Sequence, residues 1–240
     1  FIIENYTFEG GVRRLKECVL EICKEINLRR LNGSKLLEKK IRFPITLTKE
    51  MLTDDIFKKR RTLSITKIYE KPKVGLVNGL WANDMGVGGL IPIEVFSIPT
   101  NNKLELELTG QLGDVMKESM RCAKTVAWNV LPDKYKEKLN KEWKDFGNTG
   151  IHIHCPDGAT PKDGPSAGAA ITTAILSLLM EVQVNNKFAM TGEINLKGEV
   201  TEIGGLCEKL SGAKKAGVEI VLIPNQNKND LEKIKNGENN

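Results

Sequence analysis

The first 60 residues carry a helical pattern of hydrophobic positions. Apolar side chains recur at steps of three and four residues, at Val12, Leu15, Val19, Ile22 and Ile26. This spacing predicts an amphipathic helix over residues 6–31, which we expect to end at Asn32-Gly33. A short edge strand is expected over residues 41–47, which include a proline, and a short helix over residues 48–58.

The pattern changes near residues 68–73, where we place a domain boundary. Leu104, Leu106 and Leu108 alternate with two glutamates, which is typical of a half-exposed strand. Further strands are expected over residues 90–93, 151–155, 188–191, 194–196, 199–200 and 218–223. Helices are expected over residues 114–130, 166–181 and 206–216, with a charged surface helix or excursion over 132–143. The polar residues 225–240 are expected to form a mobile end or a cut edge.

Composition narrows the class of protein without identifying it. The chain has 240 residues, of which 40% are apolar and 28% are charged, values typical of a globular protein with one large domain or two small ones. The longest apolar stretch, residues 169–180, is too short and too mixed to predict a membrane span. The five cysteines lack CxxC spacing, so we expect neither a zinc site nor a disulfide framework, and a reducing compartment.

Charge gives one candidate surface. The formal net charge is +5, and the densest basic run is Lys58-Lys59-Arg60-Arg61. Such a run can bind nucleic acid, but strong nucleic-acid modules usually add aromatic residues or a known motif, and the sequence shows neither. A solvated surface turn is therefore the favoured interpretation, with weak DNA binding as the alternative.

One short motif carries candidate chemistry. Gly164-Pro165-Ser166-Ala167-Gly168 fits the pattern G-x-S-x-G at a point where a loop is expected to turn into a helix. Small neighbours would let a substrate approach the Ser166 hydroxyl, and the free N–H groups of a helix start favour a developing oxyanion. A serine that only caps the helix explains the pattern equally well.

A serine nucleophile needs a base, and the histidines do not fit that role. The two histidines, His152 and His154, both precede Ser166, whereas in α/β-hydrolases the histidine follows the serine. They lie two apart on an expected strand and therefore share a face. Since no third ligand is evident nearby, we interpret them as strand histidines with hydrogen-bonded partners rather than as a base or metal ligands.

Lysine is the remaining type of base. A useful base has a pKa of about 7–8, well below the value of about 10.4 for free lysine, and burial lowers it. The candidates that follow Ser166, outside the polar tail, are Lys187, Lys197, Lys209, Lys214 and Lys215. Lys209, beside Leu206 and Leu210, is the best placed for burial. Periodicity alone leaves the choice open.

Three blocks of sequence resemble the Lon protease family. The run from Pro156 to Gly168 resembles the family's nucleophile segment, and Thr191-Gly192-Glu193-Ile194 with Lys197-Gly198 resembles its next block. The run from Ile203 to Leu210 resembles the block that bears the family's catalytic lysine. The blocks appear in the family's order and at its spacing, which makes a chance match very improbable.

The resemblance implies a serine–lysine peptidase. By position, Ser166 is the nucleophile and Lys209 the base. Thr191 matches a threonine that helps to orient the lysine, and Asp163 matches an acid that blocks or shapes the site in some family structures. Gly164 and Pro165 complete the supporting residues. The segment Trp81–Gly89 departs from the family pattern by an extra residue or two, which leaves substrate specificity undetermined.

The resemblance also implies a division of the chain. The expected fold is α+β, a mixed-sheet proteolytic domain preceded by a small, mainly helical remnant of an AAA+ module. Residues 1–68 would be the C-terminal part of the AAA+ helical subdomain and a linker, in which Arg13 matches a nucleotide-sensing arginine. Residues 69–240 would be the proteolytic domain, expected to stop short of the family's usual C-terminus. The chain has no G-x-x-x-x-G-K-[ST], so no cofactor is expected here, and ATP and Mg²⁺ belong to the full-length protein.

The implied partners follow from the family. They are unfolded or damaged polypeptides and further copies of the chain in a hexameric ring, in the cytoplasm or the mitochondrial matrix. A catalytically silent binding module that keeps the fold is the rival hypothesis. The presence of both Ser166 and Lys209 argues against it.

Overall fold

The chain forms two compact units in the computed structural model, residues 1–64 and 65–240. The structure describes residues 1–7, 12–32, 44–60, 62, 65–84, 86–156 and 162–237. The catalytic candidates Ser166 and Lys209 lie in the second unit. Part of the nucleophile block, residues 157–161, lies outside the described residues.

The first unit is helical where it is described. A π-helical turn covers Ile3–Thr7, helix α1 covers Arg13–Asn32, and a second π-helical segment covers Met51–Ile56. These segments pack around a small core of buried side chains, which are Tyr6, Cys18, Ile22, Leu52 and Phe57.

The structure confirms the helices expected in this unit and contradicts the expected strand. The predicted first helix is confirmed from residue 13 onward, and helical structure is also found within residues 48–58. The strand expected over residues 41–47 is wrong in its described part, because residues 44–47 are irregular. Pro44 has no backbone N–H to donate, and the described residues of this unit contain no second strand with which it could pair.

The second unit is built on a mixed β-sheet. Its strands are β1 (Leu76–Asn83), β2 (Val87–Pro99), β3 (Leu106–Thr109), β4 (Thr149–His154), β5 (Phe188–Met190), β6 (Glu193–Ile194), β7 (Val200–Thr201) and β8 (Ile220–Leu222). The main sheet has the order β3-β4-β2-β1-β5-β8, and β6 pairs with β7 in a separate hairpin. The pairs β1/β2 and β2/β4 are antiparallel, whereas β3/β4, β1/β5 and β5/β8 are parallel.

Helices cover both faces of this sheet. They are α2 (Asp114–Val130), α3 (Asp133–Phe146), α4 (Gly168–Met180), α5 (Leu206–Ala216) and α6 (Lys228–Lys235). On one face, α2 and α4 pack against residues of β2 and β4 such as Ile93 and Ile153. On the other face, α5 packs against a smaller cluster that includes Leu80 and Leu90. The predicted α+β fold with a mixed sheet is therefore confirmed.

The C-terminal segment corrects an expectation. The sequence predicts a mobile end over residues 225–240, but Asn225–Asn227 form a 3₁₀ turn that leads into α6. The prediction fails because the Asn227 side chain is buried and hydrogen-bonded to the backbone of Ile203. Among the described helices, none is long and apolar enough to cross a membrane.

Candidate functional site

Ser166 is held at the turn between the preceding loop and α4. Its carbonyl oxygen accepts hydrogen bonds from the Gly192 N–H at 2.8 Å and the Thr191 hydroxyl at 3.2 Å. Ala169 N–H in turn donates to the Gly192 carbonyl at 3.0 Å. These bonds tie the backbone of the serine to the residues that follow β5. The serine itself is half-buried, so solvent reaches it.

The start of α4 leaves backbone donors free near this serine. Gly168 N–H donates to the Pro165 carbonyl at 3.0 Å, which closes a tight turn around Ser166. Within the described part of the chain, the N–H groups of Ser166 and Ala167 have no acceptor. Two adjacent free N–H groups beside a hydroxyl are the donors that an oxyanion requires.

Lys209 is buried in the first turns of α5. Only 3% of its surface is exposed, and burial lowers its pKa from 10.5 to about 8. Lys187, Lys197, Lys214 and Lys215, the other candidates, are all exposed. The predicted burial of Lys209 is confirmed, and it is the buried one among these five candidate lysines.

Close backbone contact holds this helix against the sheet. A methyl group on Gly88 of β2 would lie 2.2 Å from the carbonyl oxygen of Glu208, and one on Gly212 would lie 2.4 Å from Gly88. Only glycine at both positions allows α5 to approach the sheet so closely. The sequence contains glycines at positions 86, 88 and 89, but it does not indicate which helix packs against them.

The structure does not join the two catalytic candidates directly. Among the described residues, no hydrogen bond links the Ser166 hydroxyl to the Lys209 amine. Thr191, which is 1% exposed, donates to the Ser166 carbonyl. Its observed contact is therefore with the serine segment, whereas the family resemblance assigns it to the lysine.

Asp163 connects the nucleophile loop to α2. Its carboxylate accepts hydrogen bonds from the N–H groups of Met116 and Gly164, both at 3.0 Å. Met116 lies in the first turn of α2, so Asp163 supplies the acceptor that this helix start lacks in its own sequence. A second link comes from the Ser119 hydroxyl, which donates to the Pro165 carbonyl at 3.4 Å.

Gly164 has a conformational role in the same loop. Its φ of +114° lies in a region that side chains with a Cβ rarely adopt. The glycine thus permits the backbone to turn between Asp163, which is fixed on α2, and Ser166, which is fixed on residues 191–192. The sequence did not predict the contacts that Asp163, Pro165 and Ser166 make with Met116, with Ser119 and with residues 191–192. Each contact joins segments that are far apart in the chain.

The histidines occupy the sheet and not the candidate site. The Thr109 hydroxyl lies 2.9 Å from Nε2 of His152 and 2.6 Å from Nδ1 of His154. This agrees with the interpretation of strand histidines that have hydrogen-bonded partners. The described part of the chain contains no cluster of three or more potential metal ligands.

Two basic features lie in the first unit. Arg13 is exposed and forms an ion pair with Glu17 at 3.6 Å. Arg60, in the basic run, binds the Glu21 carboxylate and lies over the ring of Phe57. Arg61 lies outside the described residues. Nucleotide sensing by Arg13 and DNA binding by the basic run stay predictions.

Comparison with known proteins gives a consistent result. The C-terminal proteolytic domain of the Lon protease (S16) family matches residues 46–239. The Lon proteases of Campylobacter jejuni and Clostridium acetobutylicum are 44% and 41% identical over 97% and 98% of this chain. A Lon protease homolog of Acanthamoeba polyphaga mimivirus is 35% identical over 98% of it. The chain spans only 28% or 29% of the length of these relatives.

Proposed function

Because this chain belongs to the Lon protease family, we propose that it contains the proteolytic domain of a serine endopeptidase. In this proposal Ser166 is the nucleophile and Lys209 is the general base. The observation that carries the proposal is the burial of Lys209. A charged lysine in that position lacks hydration, which favours the neutral amine that a base must be.

The reaction would be an acyl transfer. At pH 7 a lysine with a pKa of about 8 is neutral about a tenth of the time, which is enough for a general base. Neutral Lys209 accepts the proton of Ser166 as the serine oxygen attacks the peptide carbonyl. The N–H groups of Ser166 and Ala167 then stabilise the oxyanion.

The second half of the reaction returns the enzyme to its starting state. Protonated Lys209 gives its proton to the leaving amine, and the peptide C–N bond breaks. Water then attacks the acyl-enzyme, and Lys209 accepts the proton of that water. The ester C–O bond to Ser166 breaks, Lys209 returns the proton to the serine oxygen, and the carboxylic product leaves. The Ser166 hydroxyl must turn toward the amine for this chemistry, and catalytic hydrogen bonds commonly tighten only when substrate binds. Thr191, Gly164 and Pro165 would hold the serine segment in place meanwhile.

The full-length protein would supply the remaining parts. We propose that ATP and Mg²⁺ bind an AAA+ module whose C-terminal part, together with a linker, is residues 1–68, with Arg13 sensing the nucleotide. The module would feed unfolded or damaged polypeptides to Ser166, and the protein would assemble as a hexamer. Since the relatives compared are bacterial or viral, the cytoplasm is the compartment that we propose.

Two substitutions in the full-length protein test the dyad. Ser166→Ala and Lys209→Ala should each abolish cleavage of an unfolded polypeptide, with and without ATP, while circular dichroism shows an intact fold. Lys214→Ala is the matched control, because Lys214 is an exposed lysine on the same helix. Normal activity of the Lys209 variant would refute the assignment of the base.

DNA binding has its own test. If Lys58–Arg61 bind phosphates, affinity should fall steeply as salt rises, because each neutralised phosphate releases counterions. Binding that does not depend on salt, or no binding at 50 mM salt, would remove DNA from the proposed partners.

A further inference from the structure

A buried asparagine anchors the segment that leads into α5. Asn227 is 1% exposed, although its side chain is an amide. It accepts a hydrogen bond from the Ile203 N–H at 3.0 Å and donates one to the Ile203 carbonyl at 2.9 Å. It also donates to the Asp230 carboxylate at 2.8 Å. The amide thus satisfies both backbone groups of one residue, as a neighbouring strand would.

A second contact extends this anchor by one residue. The Gln226 side-chain oxygen accepts a hydrogen bond from the Glu202 N–H at 2.7 Å. Two consecutive side chains, both from the turn that precedes α6, therefore bind two consecutive backbone N–H groups ahead of α5. We call Gln226 and Asn227 the amide anchor.

Only a short connection separates the amide anchor from Lys209. After Ile203 come Gly204 and Gly205, and Gly205 has a φ of +67° as the residue that caps α5. The Gly205 carbonyl accepts the hydrogen bond of the Lys209 N–H at 3.0 Å. The position of Gly205 therefore determines where the first turn of α5, and with it the lysine, is placed.

We propose that Asn227 is a positioning residue for Lys209: it fixes residues 203–205, and through them the first turn of α5, so that the lysine side chain is kept out of water. The inference rests on the proposed role of Lys209 as the base. The effect of Asn227 on the burial of Lys209 can be measured whether or not Lys209 is the base.

Loss of the amide would act through hydration. Without Asn227, the buried N–H and C=O of Ile203 lose the partners that the structure shows for them, and water is drawn toward the start of α5. Water near Lys209 stabilises the ammonium form. Burial is the cause of the low pKa of Lys209, and no charged group among the described residues contributes to it, so hydration would raise that pKa toward 10.5.

Two measurements on the full-length protein test the proposal. Competitive acetylation with acetic anhydride, followed by mass spectrometry of the Lys209 peptide, gives the pH at which that amine becomes reactive. The pH dependence of kcat and KM for an unfolded polypeptide gives a second midpoint, the pH at which activity is half-maximal as Lys209 loses its proton. For Asn227→Ala we expect both midpoints to rise by about one unit, and kcat at pH 7 to fall about tenfold with KM unchanged.

A matched variant separates positioning from stability. Asn78 is also a buried asparagine, 4% exposed, and it donates to the carbonyls of Asn186 and Phe188. Asn78→Ala should lower the melting temperature comparably and leave both midpoints unchanged. If Asn227→Ala does not fold, Asn227→Ser shortens the side chain without adding a charge beside Asp230, and should show a rise in the same direction.

The outcomes distinguish this inference from the proposed function. A midpoint of acetylation that stays at the wild-type value in a folded Asn227 variant overturns the positioning role, as does an equal rise in Asn78→Ala. If Lys209→Ala retains activity, the proposed base is wrong. The acetylation measurement still decides whether Asn227 keeps water away from the Lys209 side chain.

Discussion

Lys209 is a residue whose burial opposes folding. Lysine is rarely buried without a partner, because the ammonium loses its hydration. The shift of its pKa from 10.5 to about 8 corresponds to a cost of about 3 kcal/mol, at about 1.4 kcal/mol per unit. Such a cost is common where activity requires a strained site. A base of this kind and maximal stability are therefore in conflict.

Replacement of the lysine should show this conflict directly. At pH 7, Lys209→Met should raise the free energy of unfolding by up to about 3 kcal/mol while it abolishes peptidase activity. Between pH 8 and 10.5 the unfolded lysine still binds a proton that the folded one has released, so wild-type stability rises with pH. The advantage of the methionine variant should therefore shrink over this window and vanish above it.

Urea unfolding of both proteins at pH 7, 9 and 10.5 measures the effect. The difference between the two unfolding free energies cancels the titration of the other groups. Lys214→Met serves as the control, since Lys214 is exposed and its replacement should change the difference little at any pH. A Lys209→Met protein that is less stable than wild type at pH 7 would contradict the argument.

Asp163 shows how far a residue's role depends on its surroundings. In the sequence it is a turn residue next to the G-x-S-x-G motif, and the family resemblance adds a role in shaping the site. In the structure its carboxylate lies at the N-terminus of α2, where it accepts the Met116 N–H. The negative charge also complements the helix dipole there. No local pattern could indicate this, because the helix and the acid are far apart in sequence.

At the level of elements, several helices could be predicted well from the sequence. The bounds of α2 and α5 agree with residues 114–130 and 206–216. In both, regular apolar spacing coincides with a clear start or stop, such as Gly217, which has a φ of +90° after α5. Elements with weaker periodicity, such as the short helix α6, were missed because tertiary contacts stabilise them.

The contact between α5 and β2 is the element-level feature most open to test. Gly88→Ala would place a methyl group 2.2 Å from the Glu208 carbonyl, so the helix must move away from the sheet. We expect a loss of about 1–3 kcal/mol in the free energy of unfolding and reduced peptidase activity. Gly204→Ala is the control for stability, because a methyl group there meets nothing within 4 Å. Equal stability of the two variants would contradict close packing at Gly88.

At the level of the whole molecule, the second unit contains its own core. The cluster that joins β2, β4, α2 and α4 and the cluster beneath α5 both lie within residues 65–240. In its described residues, the first unit has a much smaller core of five buried side chains. Since stability depends on buried apolar surface, the second unit should be the more stable of the two.

This difference predicts the behaviour of a fragment. Residues 65–240 alone should unfold in one cooperative transition, with a melting temperature close to that of the main transition of the whole chain. Circular dichroism and scanning calorimetry measure both. The family match begins at residue 46, so the fragment 46–240 is the natural comparison. A fragment 65–240 that is unfolded while 46–240 is folded would show that residues 46–64 belong to the same folding unit.

The resemblance of the sequence to its family supplied the α+β class, and its local patterns supplied most of the helices of the second unit and the candidate nucleophile at Ser166. The helices and the nucleophile follow from local periodicity, from capping residues and from a contiguous motif, all of which are properties of neighbouring residues. Family resemblance then singled out Lys209. The folded chain, by contrast, shows which lysine is removed from water and what Asp163 and Asn227 contact. Burial and hydrogen bonding of these groups depend on atoms that the fold brings together from β2, α2 and the turn before α6, and local sequence does not contain that information.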